Sequence, residues 1–322
     1  MEMYQVIVIL TNYDTRILLV LSFSILASTV SGIIFPSLGE FFSPYILVIL
    51  GLLLFLNLIQ LNFQDLILTF KKPKLLFILS ITKVLVIPVT MYFVTNQIYP
   101  KYALSVLLLS GISTGLGAPF VTNYVGGRLS IVVGMVIVTS LVVPFILPAL
   151  VYILYNTKFS IPVFDMILLL VISLIVPLIG SGIIKKYLPK IAISINKSSL
   201  HVSIILMALI NLAIFSKFSD YFYLEVTFVI TTTLIAFALF AVFAITGYLI
   251  MNLNNRSTSM KYKISGLIAI SYVNNILVTV FAQQFFGSQV AALAAFYNMP
   301  YYIGIIFLKI LYSKILKTKN NE

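Results

Sequence analysis

From residue 16 to the C-terminus, apolar runs of about twenty residues follow one another with barely a gap. No other feature limits the fold so tightly, because about 20 apolar residues in a helix cross a bilayer core about 30 Å thick. Of the 322 residues 61% are hydrophobic and 9% are charged, so a water-soluble fold would have almost nothing to set against solvent. The sequence predicts an all-α polytopic membrane protein. Its ten membrane segments are 16–36, 42–63, 73–96, 101–126, 129–154, 160–186, 197–218, 223–253, 260–287 and 290–315. The stretches between them are short, so residues 1–322 form one integral membrane unit with no room for a separate soluble domain.

A net charge of +12 on a soluble chain would suggest nucleic acid. Here it reads as topology, and no nucleic-acid partner is expected. Loops on one side hold Arg16, Lys71, Lys72, Lys74, Arg128, Lys185, Lys186, Lys190, Lys197, Arg256, Lys261 and Lys263, with Lys309, Lys314, Lys317 and Lys319 at the C-terminal end. The opposite loops hold Lys101, Lys158 and Lys217, so the count is sixteen against three, with Lys83 left inside a segment. Positive loops stay in the cytoplasm, which places both termini there and the protein in the cell (cytoplasmic) membrane. Cysteine is absent, which excludes disulfides, thiolate metal sites and thiol catalysis. The first residues, MEMYQVIVILTNYDTR, carry neither a basic n-region nor a small-residue cleavage site, so no removable signal peptide is expected.

Ten segments divide as five and five, 16–156 and 159–315, and an odd number per half requires the second half to run inverted. The fourth member of each half is interrupted. Matched interruptions of this kind are the best pointer in a sequence to a transporter binding site. In SGISTGLGAPFVTN (110–123), Gly111, Gly115, Gly117 and Pro119 fall within nine residues, among Ser110, Ser113, Thr114 and Thr122. Glycine favours unwound backbone and proline removes a donor, which hydrocarbon tolerates only where protein or a water-filled cavity satisfies the chain. Small-residue helix packing is the alternative, but it needs neither the proline nor the hydroxyls. In SYVNNILVTVF (271–281), Ser271, Asn274 and Asn275 are costly at mid-membrane unless they bind something; an interhelical hydrogen bond is the alternative.

Depth supports a meeting of the two breaks. At about 1.5 Å per residue, Asn274 lies roughly 15 Å past Ile264 and Ser113 roughly 18 Å below Lys101, both near the middle of the core. Lys83, ten residues past Pro73, is also roughly 15 Å deep, beyond the reach of either interface. An ionisable residue at that depth is a functional hypothesis by default. It could carry a proton, act as a fixed cation for an anionic solute, or tether the carbonyls of a broken helix. His201 reads as interfacial, Asp165 as water-facing, and Asn57 and Asn211 as packing bonds. No carboxylate pair, metal cluster, nucleotide loop or catalytic triad is present, so no enzyme activity, metal or cofactor is expected.

These stretches carry a resemblance. The run GAPFVTNYVGGRLSIVVGMVIVTSLVVPFILPAL (117–150), with Gly127, Pro144 and Pro148, resembles the fourth and fifth helices of the bile acid:sodium symporter family. KPKLLFILSITKVLVIP (72–88) is similar to its third helix, GYLI (247–250) to its eighth, and SYVNNILVTVFAQQFFGSQVAALAAFYNMPYYIG (271–304) to its ninth and tenth. Arsenite and auxin-type carriers share the general plan. The resemblance implies ten helices in inverted five-helix repeats, with helices four and nine discontinuous and crossed. A panel of helices one, two, six and seven then moves against a core of the other six, with the solute between them.

The departures from that pattern concern sodium. By the resemblance, the helix-nine glutamate that binds sodium falls on Ile270, and a nearby glutamine on Asn274, while Asn275 is kept. Ala118 and Pro119 stand where helix four has serine and asparagine, and Val132 and Val136 replace two hydroxyl ligands. Lys83 replaces a helix-three glutamine. Arsenite carriers place a cysteine where this chain has Phe120, which argues against arsenite export.

The expectation is a secondary transporter for a small organic, anionic solute. Its site would be built from Ser113, Thr114, Gly115, Gly117, Ala118, Pro119, Thr122, Ser271, Asn274 and Asn275, with Lys83 in place of the coupling sodium. Protons are then the expected coupling partner, or transport is uncoupled. A non-transporting receptor or a channel-like facilitator on the same scaffold are the alternatives.

Overall fold

The computed structural model describes residues 20–59, 73–155, 162–253 and 259–319, the last helix beyond Lys309 by its backbone alone. The N-terminal stretch with Arg16, the loop carrying Lys71 and Lys72, Lys158, the junction between the two halves and Arg256 lie outside the described residues.

Prolines open several helices, as expected where the missing N–H would be unpaired in any case. The chain forms α1 (Val20–Ile34), α2 (Pro36–Ile59) and α3 (Pro73–Ile98), then α4 (Ala103–Gly111), α5 (Ala118–Val125) and α6 (Leu129–Tyr155). There follow α7 (Val163–Tyr187), α8 (Pro189–Ser216) and α9 (Val226–Leu253). The series ends with α10 (Met260–Ser271), α11 (Asn275–Phe286), α12 (Ser288–Phe296) and α13 (Asn298–Lys319). Two boundaries differ from expectation for a local reason. Pro36 restarts the helix one residue after α1, and Pro189 starts α8 eight residues earlier than the apolar run at 197.

Among the described residues, seven helices are long and apolar enough to cross a membrane, and α1 and α11 are shorter apolar helices. The chain is thus a multi-pass α-helical membrane protein. Its outward faces are apolar: in the most apolar stretch of α9 only 22% of residues are buried, against 61% in α6. A bilayer accepts the first surface, while α6 sits amid the other helices, with α3, α4, α5 and α10 packed on it.

Two helices carry a widened turn closed by i→i+5 bonds, at Thr82–Val86 in α3 and Val171–Ile175 in α7. Each stands two residues ahead of a proline, Pro88 and Pro177, whose ring crowds the carbonyl one turn back. Lys83 lies in the first of these turns. On the opposite flank, α2 packs on α7 and α8, and Lys185 of α7 donates to the Leu58 carbonyl of α2 at 2.8 Å, closing that helix end.

Candidate functional site

The two glycine- and amide-rich stretches are where helices stop. α4 ends at Gly111, and residues 112–117 leave the helix, extended at Ile112 and turning at Leu116 and Gly117, before α5 resumes. α10 ends at Ser271, and residues 272–274 separate it from α11. The two breaks cross as a single antiparallel pair, Thr114 opposite Val273. Gly115 donates its N–H to the Tyr272 carbonyl at 2.7 Å, and Asn274 donates to the Ser113 carbonyl at 3.0 Å. Backbone that hydrocarbon could not satisfy is thus satisfied by the other break. Only glycine fits at 115, because a Cβ there would lie 2.6 Å from the Val273 oxygen.

Each break also leaves a helix C-terminus with unpaired carbonyls and the negative end of its dipole. Donors from elsewhere in the chain close both. Lys83 of α3 places Nζ 2.9 Å from the Ser110 oxygen at the end of α4, with the Phe243 ring 5.2 Å away. Its side chain is fully buried. Helix-end dipole and ring face each favour a cation. At the end of α10, the Tyr297 hydroxyl donates to the Ser271 oxygen at 2.8 Å, and Thr114 Oγ1 donates to the Ala269 oxygen at 2.7 Å. The Thr114 N–H is itself held by Thr139 Oγ1 of α6 at 3.0 Å.

The opposite ends of the breaks, the N-termini of α5 and α11, face a cavity of about 250 Å³. Gly115, Gly117 and Pro119 line it from the first break, and Asn274 and Asn275 from the second. Leu116, Phe120 and Ile276 complete this wall; across from it stand Leu50, Leu53, Leu54 and Asn57 of α2, with Ser203 and Met207 of α8. Helix N-termini present backbone N–H groups and positive partial charge, so this wall suits a hydrogen-bond acceptor or anion. Among the described residues no charged side chain lines it.

The expected site residues therefore separate. Ser113, Thr114, Ala118, Thr122, Ser271 and Lys83 do not line the cavity. Thr122 Oγ1 turns back to the Ala118 oxygen at 2.8 Å and Ser271 Oγ to the Leu267 oxygen at 2.8 Å, while Ser113 Oγ is buried with no partner. Ala118, Val132, Val136 and Ile270, where the resemblance places sodium ligands, are fully buried apolar side chains. A cation needs several free oxygens. Here the broken ends' Ser110, Ala269 and Ser271 carbonyls each already accept a protein donor, and among the described residues no buried carboxylate stands beside them.

Some residues enter the site that sequence reasoning passed over. Asn57 lines the cavity, as do Asn123, Ser203, Tyr301 and Tyr302. Asn211 bonds to Asn298 and through it to Asn275. Mid-helix asparagines were the available signal, since an amide in hydrocarbon needs a partner. His201 and Asp165 are exposed.

A model of the Sodium Bile acid symporter family matches residues 47–253, more than half of the chain. The matched stretch includes the first break and stops short of the second. No curated protein matches the chain.

Proposed function

The chain belongs to the sodium bile acid symporter family, and from that premise we propose that it is a secondary transporter moving a small organic, anionic solute across the cytoplasmic membrane by alternating access. Ten segments make up the transporting unit, with α4 and α5 forming the fourth, α10 and α11 the ninth, and α12 and α13 the tenth. They fall into inverted repeats over 16–156 and 159–315. α1, α2, α7 and α8 form the panel; the remaining helices form the core that rocks against it. The excess of positive loops orients both termini to the cytoplasm.

The solute sits in the cavity between the crossing and the panel, against the N-termini of α5 and α11. Those helix ends, rather than Lys83, account for the anion preference, because Lys83 lies outside the cavity wall. Coupling is where this chain parts from its family's name. Lys83 holds the end of α4 with its own ammonium, in place of a coupling sodium, so that transport runs with protons or down the solute gradient alone. The single observation that carries this reading is the 2.9 Å bond from the buried Lys83 Nζ to the Ser110 oxygen.

Proteoliposome uptake of a bile salt and of smaller organic anions tests it, with sodium and pH varied for wild type, Lys83→Gln and Lys83→Ala. Uptake should be indifferent to sodium in the wild type and fall in both variants. Strong sodium stimulation of the wild type would sink the coupling argument, and unchanged transport in Lys83→Ala would return the lysine to a packing role.

A further inference from the structure

A second cavity, of about 230 Å³, lies on the same helices as the first. α2 lines the first cavity from Leu50 to Asn57 and the second at Ile46 and Leu47. α8 lines the first from Leu200 to Met207 and the second at Ile214, with Lys217 just beyond its end. α11 lines the first at Asn275 and Ile276 and the second at Thr279, Val280, Gln283 and Gln284. The two cavities are therefore opposite ends of one cleft, parted by a septum of one helical turn on α2 and α11 and about two on α8. Lys217 belongs to the sparsely charged side, which the charge count places outside, so the second cavity is the outer vestibule.

Asn211 sits in the middle of the α8 part of this septum and is fully buried. Asn298 at the start of α13 donates Nδ2 to its Oδ1 at 3.1 Å. Asn275 Nδ2 in turn donates to Asn298 Oδ1 at 2.6 Å, and Asn211 Nδ2 donates to the Met207 carbonyl at 3.0 Å. The direction of the chain is fixed by its end, since a carbonyl only accepts. The amide chain thus starts at the cavity wall, on Asn275, and ends in α8. The Asn298–Asn211 bond ties the group α1, α2, α7, α8 to the other helices. A bond of this kind between buried side chains must break if the two groups move apart there.

We propose that the Asn211–Asn298 bond is the latch that keeps the outer vestibule shut from the solute cavity, with Asn275 as its handle on the cavity side. The proposal rests on the transport reading above for its direction, but its test needs no solute. The chain has no cysteine, so a single reporter is clean. Ile276→Cys places a thiol in the solute cavity, on the inner side of the septum, and Gln284→Cys places one in the outer vestibule. Intact cells are treated with a membrane-impermeant maleimide. Gln284→Cys should label in every background, while Ile276→Cys should label slowly in the parent.

Adding Asn211→Leu or Asn298→Leu should speed labelling of Ile276→Cys roughly three- to tenfold, the range of one net hydrogen bond, and Asn275→Ala should speed it less. Asn211→Leu/Asn298→Leu replaces both partners of the bond by apolar groups, which leaves only the Asn275 amide at the cavity wall without its partner and guards against a variant that fails to insert. Its labelling should be less than the product of the single effects, the mark of a direct pair. Labelling that ignores all of these substitutions, with Gln284→Cys still reactive, overturns the latch. A protein that shows the labelling change yet moves no organic anion keeps the latch and removes the transport reading; one that transports with labelling indifferent to Asn211 does the reverse.

Discussion

The two breaks solve one problem with different chemistry. Each ends a helix inside the bilayer and leaves a carbonyl without its intrahelical partner. At the end of α4 the donor is an ammonium, Lys83 Nζ at 2.9 Å from the Ser110 oxygen; at the end of α10 it is a neutral phenol, Tyr297 at 2.8 Å from the Ser271 oxygen. The geometry is nearly the same, so the difference lies in charge. A phenol can only satisfy a carbonyl. A cation also answers the negative end of the helix. Satisfying a carbonyl and placing a charge are thus separable demands, and of the two breaks the first meets both.

Substitutions at the two breaks test this contrast. The largest effect is expected where both breaks depend on one atom. Gly115→Val would drive a side chain into the Val273 carbonyl and part the crossing, with loss of more than about 3 kcal/mol and of folded protein, read by size-exclusion chromatography and thermal unfolding in detergent. Lys83→Met comes next: it strips the Ser110 oxygen of its donor at a cost of about 1–3 kcal/mol and removes the one buried charge among the described residues, so transport and its ion dependence should both change. Tyr297→Phe should cost about 1 kcal/mol in thermal unfolding while leaving ion dependence as it was. If Tyr297→Phe altered ion dependence as much as Lys83→Met, the contrast between the breaks would be lost. The smallest effect belongs to Asn274→Ala. Asn274 caps α11 through a long 3.4 Å bond to the Leu277 N–H, so its loss should cost less than about 1 kcal/mol.

Much of this crossing is legible in the sequence, because hydrocarbon forbids unpaired backbone. Three glycines and a proline near residue 115, and paired amides near residue 274, have to be placed against protein, and counting residues brings both to mid-depth. What the sequence does not display is where each hydroxyl points. Thr122 and Ser271 bond one turn back in their own helices, a rotamer choice that composition leaves open. Lys83 was recognisable as deep and unusual, but its partner lies 27 residues on, across a helix contact that only packing decides. Tyr297 and Tyr301 were hidden among 19 tyrosines, most of which suit a membrane boundary equally well. Asn211 was legible as a packing bond, and it is one; its place between two cavities emerges only once α8 is set against α11 and α13.

The central claim is that the chain's own donors, Lys83 foremost, stand where a coupling sodium would bind. Thermal unfolding of the purified protein in matched sodium and potassium salts tests it without knowledge of the solute. A folded state that binds sodium gains about 2.7 kcal/mol at a hundredfold excess over Kd, which no matched potassium salt reproduces unless it binds equally well. The account predicts the same unfolding temperature in both salts. A clear rise in sodium over potassium, retained in Lys83→Gln, would contradict it.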